Sequence, residues 1–462
     1  MPDAVLTPAL DQLRRTFGGQ LITPPDADYD EARRLWNTML DRRPAIIARA
    51  SDAGDVATAI AFAREHELEI AVRSGAHAHR GVVGRDGGLV VDLSAMRGVS
   101  VDPVRRIARV NGGALLGELE VAAQAHGLVC PVGVVGHTGV AGLTLGGGVG
   151  RLQRRFGLTI DNLHAVELVT ADGRRIRATA DDEPELFWGL CGAGWNFGIA
   201  TAFEFRLQPF GPLLHRGVLG YRSSDAGDVW TMFRDYARTA PDSVSAIFEI
   251  DRATVEAGYP EDLVGQPIVF VSYNHCGDGD AVERDTAGLR AGPRPVVATS
   301  NSEPYLDVQG AHDLQFGWGS RSFIKGHYVD DVRPEALDEA IELVATVPGR
   351  GTFSLTALGG AISRVDESAT AYSGRAAAFD ASANTGWDDA TLDEANIDWA
   401  RRVMALFEPD ATLGSYSNGN SDAGPEETRR IHGAAKLPRL AGLKRTWDPD
   451  NVFHVNHNVR PA

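Results

Sequence analysis

Residues 133–163 read GVVGHTGVAGLTLGGGVGRLQRRFGLTIDNL, and eight glycines fall between Gly133 and Gly150. In a helix interior each glycine costs roughly 1 kcal/mol relative to alanine, so this density disfavours an ordinary helix. Main chain without side chains allows close approach by another group. We therefore predict that residues 127–150, which contain these glycines, are extended loop and turn wrapped around a flat or extended ligand.

The stretch does not match either of the common nucleotide-binding motifs. The run from Gly146 to Gly150 does not fit the G-x-G-x-x-G pattern, and the glycine that follows Gly192-Ala193-Gly194 is Gly198, one residue too far. A phosphate-binding loop of the G-x-x-x-x-G-K type needs a lysine, and no lysine precedes Lys325. Both common nucleotide-binding folds are disfavoured.

A second small-residue motif follows a predicted strand. Strands are predicted over residues 45–49, 69–73 and 89–93, with a helix over 55–68, which makes a βαβ-like opening. The strand 69–73 runs directly into Ser74-Gly75-Ala76-His77. Main-chain N–H groups exposed at such a turn favour a phosphate or pyrophosphate. A plain β-turn is the alternative.

Composition limits the class of protein. With 462 residues and 49.4 kDa, two or three domains are expected. The net charge of −17 disfavours nucleic acid and anionic membranes as partners. Three cysteines without metal-ligand spacing predict neither a disulfide framework nor a metal site. Neither a signal peptide nor a membrane-spanning run is recognised, so a cytoplasmic protein is expected.

The rest of the chain differs in character on either side of residue 207. A hairpin around Asp172-Gly173 is predicted before it, with strands over 166–171 and 174–178 and a later strand over 199–207. Beyond it, strands over 268–273 and 352–358 mix with amphipathic helices over 334–347 and 393–407. This pattern predicts a second domain with an antiparallel sheet.

Three separated motifs together resemble the FAD-linked oxidases of the berberine bridge enzyme type, within the vanillyl-alcohol-oxidase or PCMH-type FAD-binding superfamily. They are RSGAHAHRG (73–81), the stretch 133–163, and YSNGN (416–420) with WDPDNVFHVNHNV (447–459). The resemblance implies an α+β fold. It implies a two-part FAD-binding domain, residues 1–206 plus 415–462, and a central substrate-binding domain, residues 207–414, built on an antiparallel sheet covered by helices.

The resemblance also implies how FAD is held. In the family the histidine of R-S-G-G-H is bonded to the flavin C8α methyl group; the matching residue is His77, and Ala76 replaces the second glycine. His79 is expected to be an ordinary polar neighbour. Asn456 is alternatively a turn residue. The other implied FAD contacts are Arg73, Ser74, Gly75, Ala76, Ala78, Gly136, His137, Thr138, Gly139, Gly142, Gly147, Gly148, Gly150, Ile199, Asn418 and Asn456.

Some members carry a second flavin bond through a cysteine, and the register argues against one here. In those members the cysteine lies eleven residues before the first glycine of the triplet. Counting back eleven from Gly146 gives Val135, whereas Cys130 lies sixteen residues away. The sequence therefore resembles the bacterial members with a single histidyl link, with Cys130 as a buried thiol or pocket wall.

The catalytic base is left open by the resemblance. Many members supply a tyrosine from a Y-x-N-[YF] motif, but YSNG ends here in Gly419. Tyr416, Tyr372 and Lys325 are the candidates, with His327 beside the last. A Lys325–tyrosine pair would lower the pKa of the phenol enough for it to act as a base. A solvated surface lysine is the alternative.

The predicted activity is that of an FAD-dependent oxidase. It would oxidise a small or medium organic molecule (an alcohol, sugar, amine or secondary-metabolite intermediate) by hydride transfer to covalently bound flavin, and O2 would reoxidise the flavin with release of H2O2. The alternatives are a dehydrogenase of the same fold that uses another acceptor, and a non-oxidase flavin-binding protein or redox cyclase. The sequence predicts no oligomeric state.

Overall fold

The computed structural model describes residues 3–78 and 85–462. Its first sheet has the order β1-β2-β4-β3, in which β2, β4 and β3 are parallel and β1 is antiparallel to β2. Helix α3 joins β2 to β3, which confirms the predicted βαβ-like opening. The elements are α1 (Asp3–Thr16), β1 (Gln20–Ile22), α2 (Tyr29–Ala32), β2 (Ile46–Arg49), α3 (Ala53–Glu65), β3 (Ile70–Arg73) and β4 (Leu89–Asp92).

The second sheet has five antiparallel strands in the order β5-β6-β10-β8-β9. The turn between β8 and β9 contains Asp172-Gly173, so the predicted hairpin is confirmed. A short pair, β7 with β11, lies beside it. The strands are β5 (Val99–Asp102), β6 (Ile107–Asn111), β7 (Leu128–Val129), β8 (Leu163–Val169), β9 (Arg175–Ala178), β10 (Ile199–Arg206) and β11 (Gln208–Pro209).

The glycine-rich stretch is only partly loop and turn. It contains the short helix α5 (Val140–Leu145), after α4 (Leu116–Gln124) and before α6 (Gln153–Phe156) and α7 (Pro184–Ala193). The prediction of loop and turn throughout is therefore wrong. Val140 and Leu145 are buried, and packing of such an apolar face stabilises a short helix that propensity alone would not form.

The third sheet has seven antiparallel strands in the order β15-β12-β14-β13-β17-β18-β16. Helices α8, α11 and α12 pack on one of its faces around a core that includes Trp230, Phe248, Phe353 and Phe407. This is the helix-covered antiparallel sheet that the resemblance implies. The strands are β12 (Leu213–Arg222), β13 (Val244–Arg252), β14 (Pro267–His275), β15 (Val297–Pro304), β16 (Arg321–Val329), β17 (Arg350–Ala357) and β18 (Phe379–Trp387). The helices are α8 (Ala226–Thr239), α9 (Val282–Thr286), α10 (Tyr305–Gln315), α11 (Pro334–Ala345) and α12 (Asp393–Phe407).

The C-terminal segment returns to the first part of the chain through α13 (Pro425–His432) and α14 (Leu437–Trp447). On α14, Lys444 is fully buried and donates to Asp448 at 2.6 Å and to the carbonyl oxygen of Asn196 at 2.8 Å. The domain boundaries at 206/207 and 414/415 stay predictions. Across the described ranges, none of the helices combines the length and the apolar character that crossing a bilayer would require.

Candidate active site

His77 is held by two other aromatic rings. The indole of Trp36 stacks on its imidazole, with ring centroids 4.4 Å apart and an angle of 21° between the planes. The Nδ1 atom of His137 lies 2.8 Å from the Nε2 atom of His77. One of these nitrogens donates and the other accepts, so the contact couples the tautomers of the two rings. The predicted flavin-linking residue is therefore fixed in orientation; His79 lies outside the described residues.

Arg73 supports the loop that carries Trp36. Its guanidinium donates to the carbonyl oxygens of Ala32 and Arg34, the latter at 2.9 Å. The main-chain N–H of Trp36 donates to the carbonyl oxygen of Ala76 at 3.0 Å, which ties the loop to the His77 turn. One guanidinium nitrogen of Arg73 is thus used to hold this loop, and the predicted FAD contact of Arg73 stays a prediction.

The two glycine-rich motifs touch through their main chains. A Cβ atom on Gly75 would lie 2.2 Å from the amide nitrogen of Gly139, and one on Gly139 would lie 2.4 Å from that of Gly75. No side chain fits in that space. The turn that carries His77 therefore sits directly against the loop that carries His137.

Ala76 adopts a backbone conformation that favours glycine. Its φ is 54°, which costs an L-residue about 1–2 kcal/mol, and the resemblance places a glycine at this position. We expect Ala76→Gly to change the free energy of unfolding by no more than about 1 kcal/mol, because relief of this strain is offset by a more flexible unfolded chain. Ala76→Val adds a β-branched side chain at positive φ and is expected to cost about 2 kcal/mol. Urea unfolding checks both variants; equal stability of the two would contradict the expectation.

Side chains pack closely on the glycine triplet (146–148), whereas the main chain at Gly142 faces open space. Gly147 and Gly148 have φ values of 122° and 80°. A Cβ on Gly147 would lie 2.6 Å from the ring of Tyr372, and one on Gly148 would lie 2.1 Å from Thr159 Oγ1. A Cβ on Gly142 would meet nothing within 4 Å. A flat ligand can therefore approach the main chain at Gly142.

Gly136, a predicted FAD contact, is hydrogen bonded to two other parts of the chain. Its N–H donates to Asp313 Oδ1 at 2.6 Å, and its carbonyl oxygen accepts from the N–H of Gly117 at 2.9 Å. Because both polar groups of Gly136 are used within the protein, the FAD contact that stays predicted here is one of packing.

The C-terminal asparagines join the C-terminal segment to the earlier motifs. Asn418 Nδ2 donates to the carbonyl oxygen of Leu143 and to Tyr416 Oη, each at 3.0 Å. Asn456 Nδ2 donates to the carbonyl oxygen of Trp195 at 2.9 Å. These side chains order the loops around α5.

The remaining predicted contacts are placed as follows. Ser74 Oγ donates to the carbonyl oxygen of Gly112 at 2.8 Å, Ala78 is partly buried beside Leu35, and the Thr138 N–H donates to the carbonyl oxygen of Val135 at 3.1 Å. A Cβ on Gly150 would lie 1.8 Å from the carbonyl oxygen of Val132. Ile199 is paired with Val169 in the second sheet, and its side chain is buried in the core.

Several buried polar atoms in these motifs have no hydrogen-bond partner within the described part of the chain, among them His137 Nε2, Thr144 Oγ1, Asn456 Oδ1 and Asn458 Oδ1. Buried polar groups are nearly always hydrogen bonded. Such atoms indicate a ligand that carries its own donors and acceptors, as the ribityl hydroxyls and ring amides of FAD do. Together with the open main chain at Gly142, they fit this cofactor.

Tyr372 lies where the glycine triplet meets the large sheet. Its hydroxyl is hydrogen bonded to that of Tyr328 on β16, and Asp380 on β18 is the cross-strand partner of Tyr328. Burial raises the pKa of both tyrosines, and the charge of Asp380 raises each further. Burial also raises the pKa of Asp380 to about 7. Within this cluster, Asp380 is the group that changes charge near neutral pH.

Tyr416 is engaged through its hydroxyl oxygen. That atom accepts from the N–H of Val149 at 3.1 Å and from Asn418, while burial raises the pKa of the phenol. A Cβ on Gly419 would come within 3.2 Å of the Tyr416 ring. The aromatic residue that the resemblance leads one to expect at position 419 would therefore displace this ring.

Lys325 is ion-paired and does not lie beside a tyrosine. Its Nζ is 2.6 Å from Asp422 Oδ2 and 3.8 Å from Glu427 Oε2. Side chains alternate along a strand, so Lys325 and the buried His327 lie on the face of β16 opposite Tyr328. The expected Lys325–tyrosine pair is not formed, because the carboxylates hold the ammonium group on the other face.

Cys130 lies in the apolar core around the second sheet. Its side chain is fully buried, and burial raises the pKa of the thiol far above its usual value. The reactive thiolate is therefore disfavoured at this position.

Sequence reasoning missed Trp36, Tyr328, Asp380 and Asp313, since none of them belongs to a glycine-rich motif. Only Tyr328 and Asp380 leave a trace in the sequence. Each is a polar side chain in a strand, and the residues directly before and after it are buried on the opposite face of the sheet.

Comparison with known proteins decides the family. A family model described as an FAD binding domain matches residues 44–179, and one described as berberine and berberine like matches residues 415–460. The chain is 31% identical to (R)-6-hydroxynicotine oxidase of Paenarthrobacter nicotinovorans over 460 residues, covering 96% of this chain and 97% of that protein. The chain belongs to the berberine bridge enzyme-like family of FAD-linked oxidoreductases.

Two further comparisons agree. Aclacinomycin-N/aclacinomycin-A oxidase of Streptomyces galilaeus is 30% identical over 492 residues, covering 94% of this chain and 88% of that protein. The crystal structure of 6-hydroxy-D-nicotine oxidase from Arthrobacter nicotinovorans superposes with a TM-score of 0.85 at 29% identity, covering 96% of this chain and 98% of the other. This berberine bridge enzyme-like protein is thus an FAD-binding oxidoreductase with the α+β, PCMH-type fold.

Proposed function

We propose that the chain is an oxidase that carries FAD bonded to His77 and oxidises a small or medium organic molecule, with O2 as the electron acceptor and H2O2 as the second product. The substrate domain is residues 207–414, and the FAD domain is residues 1–206 plus 415–462. The observation that carries the proposal is the His77 turn. It is packed main chain to main chain on the 133–150 loop, and its imidazole is fixed by Trp36 and His137.

His137 assigns the two nitrogens of His77 different roles. Because Nε2 of His77 contacts Nδ1 of His137, the nitrogen that would bond to the flavin is Nδ1. His137 then accepts or donates the proton at Nε2 as the charge of the His77 ring changes. Trp36 keeps the ring plane fixed during this step by stacking on it.

Bound FAD would supply the hydride acceptor and the centre that O2 reoxidises. The protein has to receive the proton that leaves the substrate oxygen or nitrogen. Tyr372 is the first candidate for this role: its protonated hydroxyl would take the substrate proton as it passes its own proton to Tyr328, from which the proton would reach the Asp380 carboxylate. Tyr416 is the second candidate. Its oxygen already accepts two hydrogen bonds, which leaves it less room to take a substrate proton.

Oxidase activity is tested with panels of alcohols, sugars and amines offered to the flavin-loaded protein. Under anaerobic conditions a true substrate is expected to bleach the flavin absorbance. On readmission of air the colour should return, with one H2O2 formed for each substrate molecule oxidised. Protein denatured before the assay is the control. Bleaching without peroxide release in air would contradict the oxidase and favour a dehydrogenase; no bleaching across the panels would contradict an oxidising enzyme.

A further inference from the structure

The face of the large sheet that the helices do not cover is polar and acidic. On β13, Phe248 and Ile250 face the helices and are fully buried, so Glu249 and Asp251 point to the opposite face. The cross-strand neighbours of Glu249 on this face are Ser354 on β17 and Phe270 on β14.

The two carboxylates are poorly compensated. Glu249 accepts a hydrogen bond from Ser272 Oγ at 3.2 Å, and Asp251 accepts one from Thr352 Oγ1 at 3.2 Å and one from its neighbour's N–H. Within the described ranges, neither forms an ion pair. Burial raises the pKa of Glu249 to about 7 and also raises that of Asp251.

The cations on this face are paired elsewhere. Arg222 lies 3.1 Å from Asp262, and Arg216 lies 3.9 Å from Glu303. Arg252, on the helix side of β13 by alternation, donates to the carbonyl oxygen of Gly349, and its charge offsets only part of the effect of burial on the pKa of Asp251. In the described part of the chain, neither carboxylate of the acidic pair is ion-paired with a cation of the protein.

Tyr259 is an independent sign of a ligand at this place. Only 8% of its surface is exposed, and its Oη has no hydrogen-bond partner among residues 3–78 and 85–462. The oxygen lies over Gly220 on the same face of the sheet, where a Cβ would come within 2.3 Å of it. The charges of Asp251 and Glu249 act on it and, after burial itself, help to raise the pKa of Tyr259 to about 12. A buried phenol that lies within the electrostatic reach of an acidic pair and has no hydrogen-bond partner in the described part of the chain indicates a missing donor and acceptor.

We propose that Glu249, Asp251 and Tyr259 form a subsite for a protonated amine on the substrate. An ammonium group offers both the positive charge that the carboxylates lack and N–H donors for the carboxylate and phenol oxygens. A neutral hydroxyl would satisfy the hydrogen bonds but leave the charge uncompensated. The inference deepens the proposed oxidase and rests on it.

The subsite also sets the size of the substrate. Asp380 lies two strands away from Glu249 and two residues further along the strand direction. The distance between their main chains is therefore roughly 12 Å. The cationic nitrogen would therefore lie about that far from the Tyr372–Tyr328 pair. The substrate reaches from one to the other, so it carries its charged amine remote from the oxidised carbon or at the far end of a two-ring framework.

The test is a binding measurement that needs no turnover. Benzylamine, a cation at pH 7.5, and benzyl alcohol, its neutral counterpart, are titrated anaerobically into the flavin-loaded protein in a calorimeter. We expect benzylamine to bind at least tenfold more tightly. Glu249→Gln and Asp251→Asn should each weaken benzylamine about tenfold and leave benzyl alcohol unchanged, and Tyr259→Phe should weaken it less.

Glu256→Gln is the matched control, since it removes one negative charge from the exposed loop near Tyr259 without touching the subsite. It should leave both affinities unchanged. Equal affinity of the two probes, or the same loss in Glu256→Gln as in Glu249→Gln, would overturn the subsite. If a neutral substrate bleaches the flavin while amines show no preference, the oxidase stands and only the subsite falls. If the protein holds no flavin, the proposed oxidase falls, whatever the probes do.

Discussion

Tyr372→Phe is expected to lower kcat by about 10²- to 10⁴-fold while the flavin content stays that of the unaltered protein. The phenol is proposed to pass the substrate proton on through Tyr328 towards Asp380, and phenylalanine keeps the ring that packs on Gly147 but removes the hydroxyl bonded to Tyr328. Stopped-flow measurement of anaerobic flavin reduction isolates this step. Retention of the rate within about threefold would contradict the role of Tyr372.

Tyr416→Phe separates the two candidate tyrosines. Its hydroxyl oxygen accepts from Val149 and Asn418, so its loss is expected to loosen the loop at the glycine triplet more than it slows flavin reduction. A larger loss of the reduction rate in Tyr416→Phe than in Tyr372→Phe would exchange the roles of the two residues.

The pH dependence tests the same cluster. The pKa of Asp380 is raised by burial to about 7, and a proton acceptor works in its deprotonated state. The rate of flavin reduction is therefore expected to rise with pH through about 7 and to level off above it. Asp380→Asn should remove this step from the profile without abolishing flavin binding. An unchanged step in Asp380→Asn would exclude the carboxylate.

Lys444→Met is expected to lower the free energy of unfolding by roughly 3–5 kcal/mol, because it leaves Asp448 buried without its cation. Neither side chain has any exposed surface, and Lys444 also donates to the carbonyl oxygens of Asn196 and Phe453. The pair therefore fixes the C-terminal segment that carries Asn456. Urea unfolding followed by tryptophan fluorescence measures the loss.

Two controls accompany Lys444→Met. The double variant Lys444→Met/Asp448→Asn removes both charges and should cost less than the sum of the single changes. Glu185→Gln breaks the exposed pair with Arg439 and should change stability by no more than about 1 kcal/mol. A loss in Lys444→Met no larger than in Glu185→Gln would contradict the structural role of the buried pair.

Local patterns predicted much of the fold. The alternation of buried positions located β2, β3, β17 and α12 within a few residues, and three separated motifs indicated the family. Helix α5 was missed because glycine propensity disfavours it, whereas the buried Val140 and Leu145 stabilise it through contacts that a sequence does not display. Tertiary packing overrides propensity in such short elements.

Some residues of the candidate site were predicted from the sequence and others were not. The resemblance named His77, His137 and Gly139 as FAD contacts, and the two loops that carry them do lie together, since they approach through glycine. Trp36 could not be predicted, because no pattern in the loop after α2 shows that it folds over the His77 turn. The Lys325 hypothesis failed for a similar reason. The strand's alternation and the distant Asp422 together put the ammonium group on the face away from Tyr328.

The covalent bond to His77 is tested most directly by acid denaturation of the purified protein, tryptic digestion and mapping of the flavin. Trypsin cleaves after Arg73 and Arg80, so the flavin should stay on the peptide of residues 74–80, which contains two histidines. His77→Ala is expected to release the dye into the supernatant, whereas His79→Ala and Cys130→Ala should retain it. Release of all colour from the unaltered protein, or flavin on the peptide that contains Cys130, would contradict the single histidyl link.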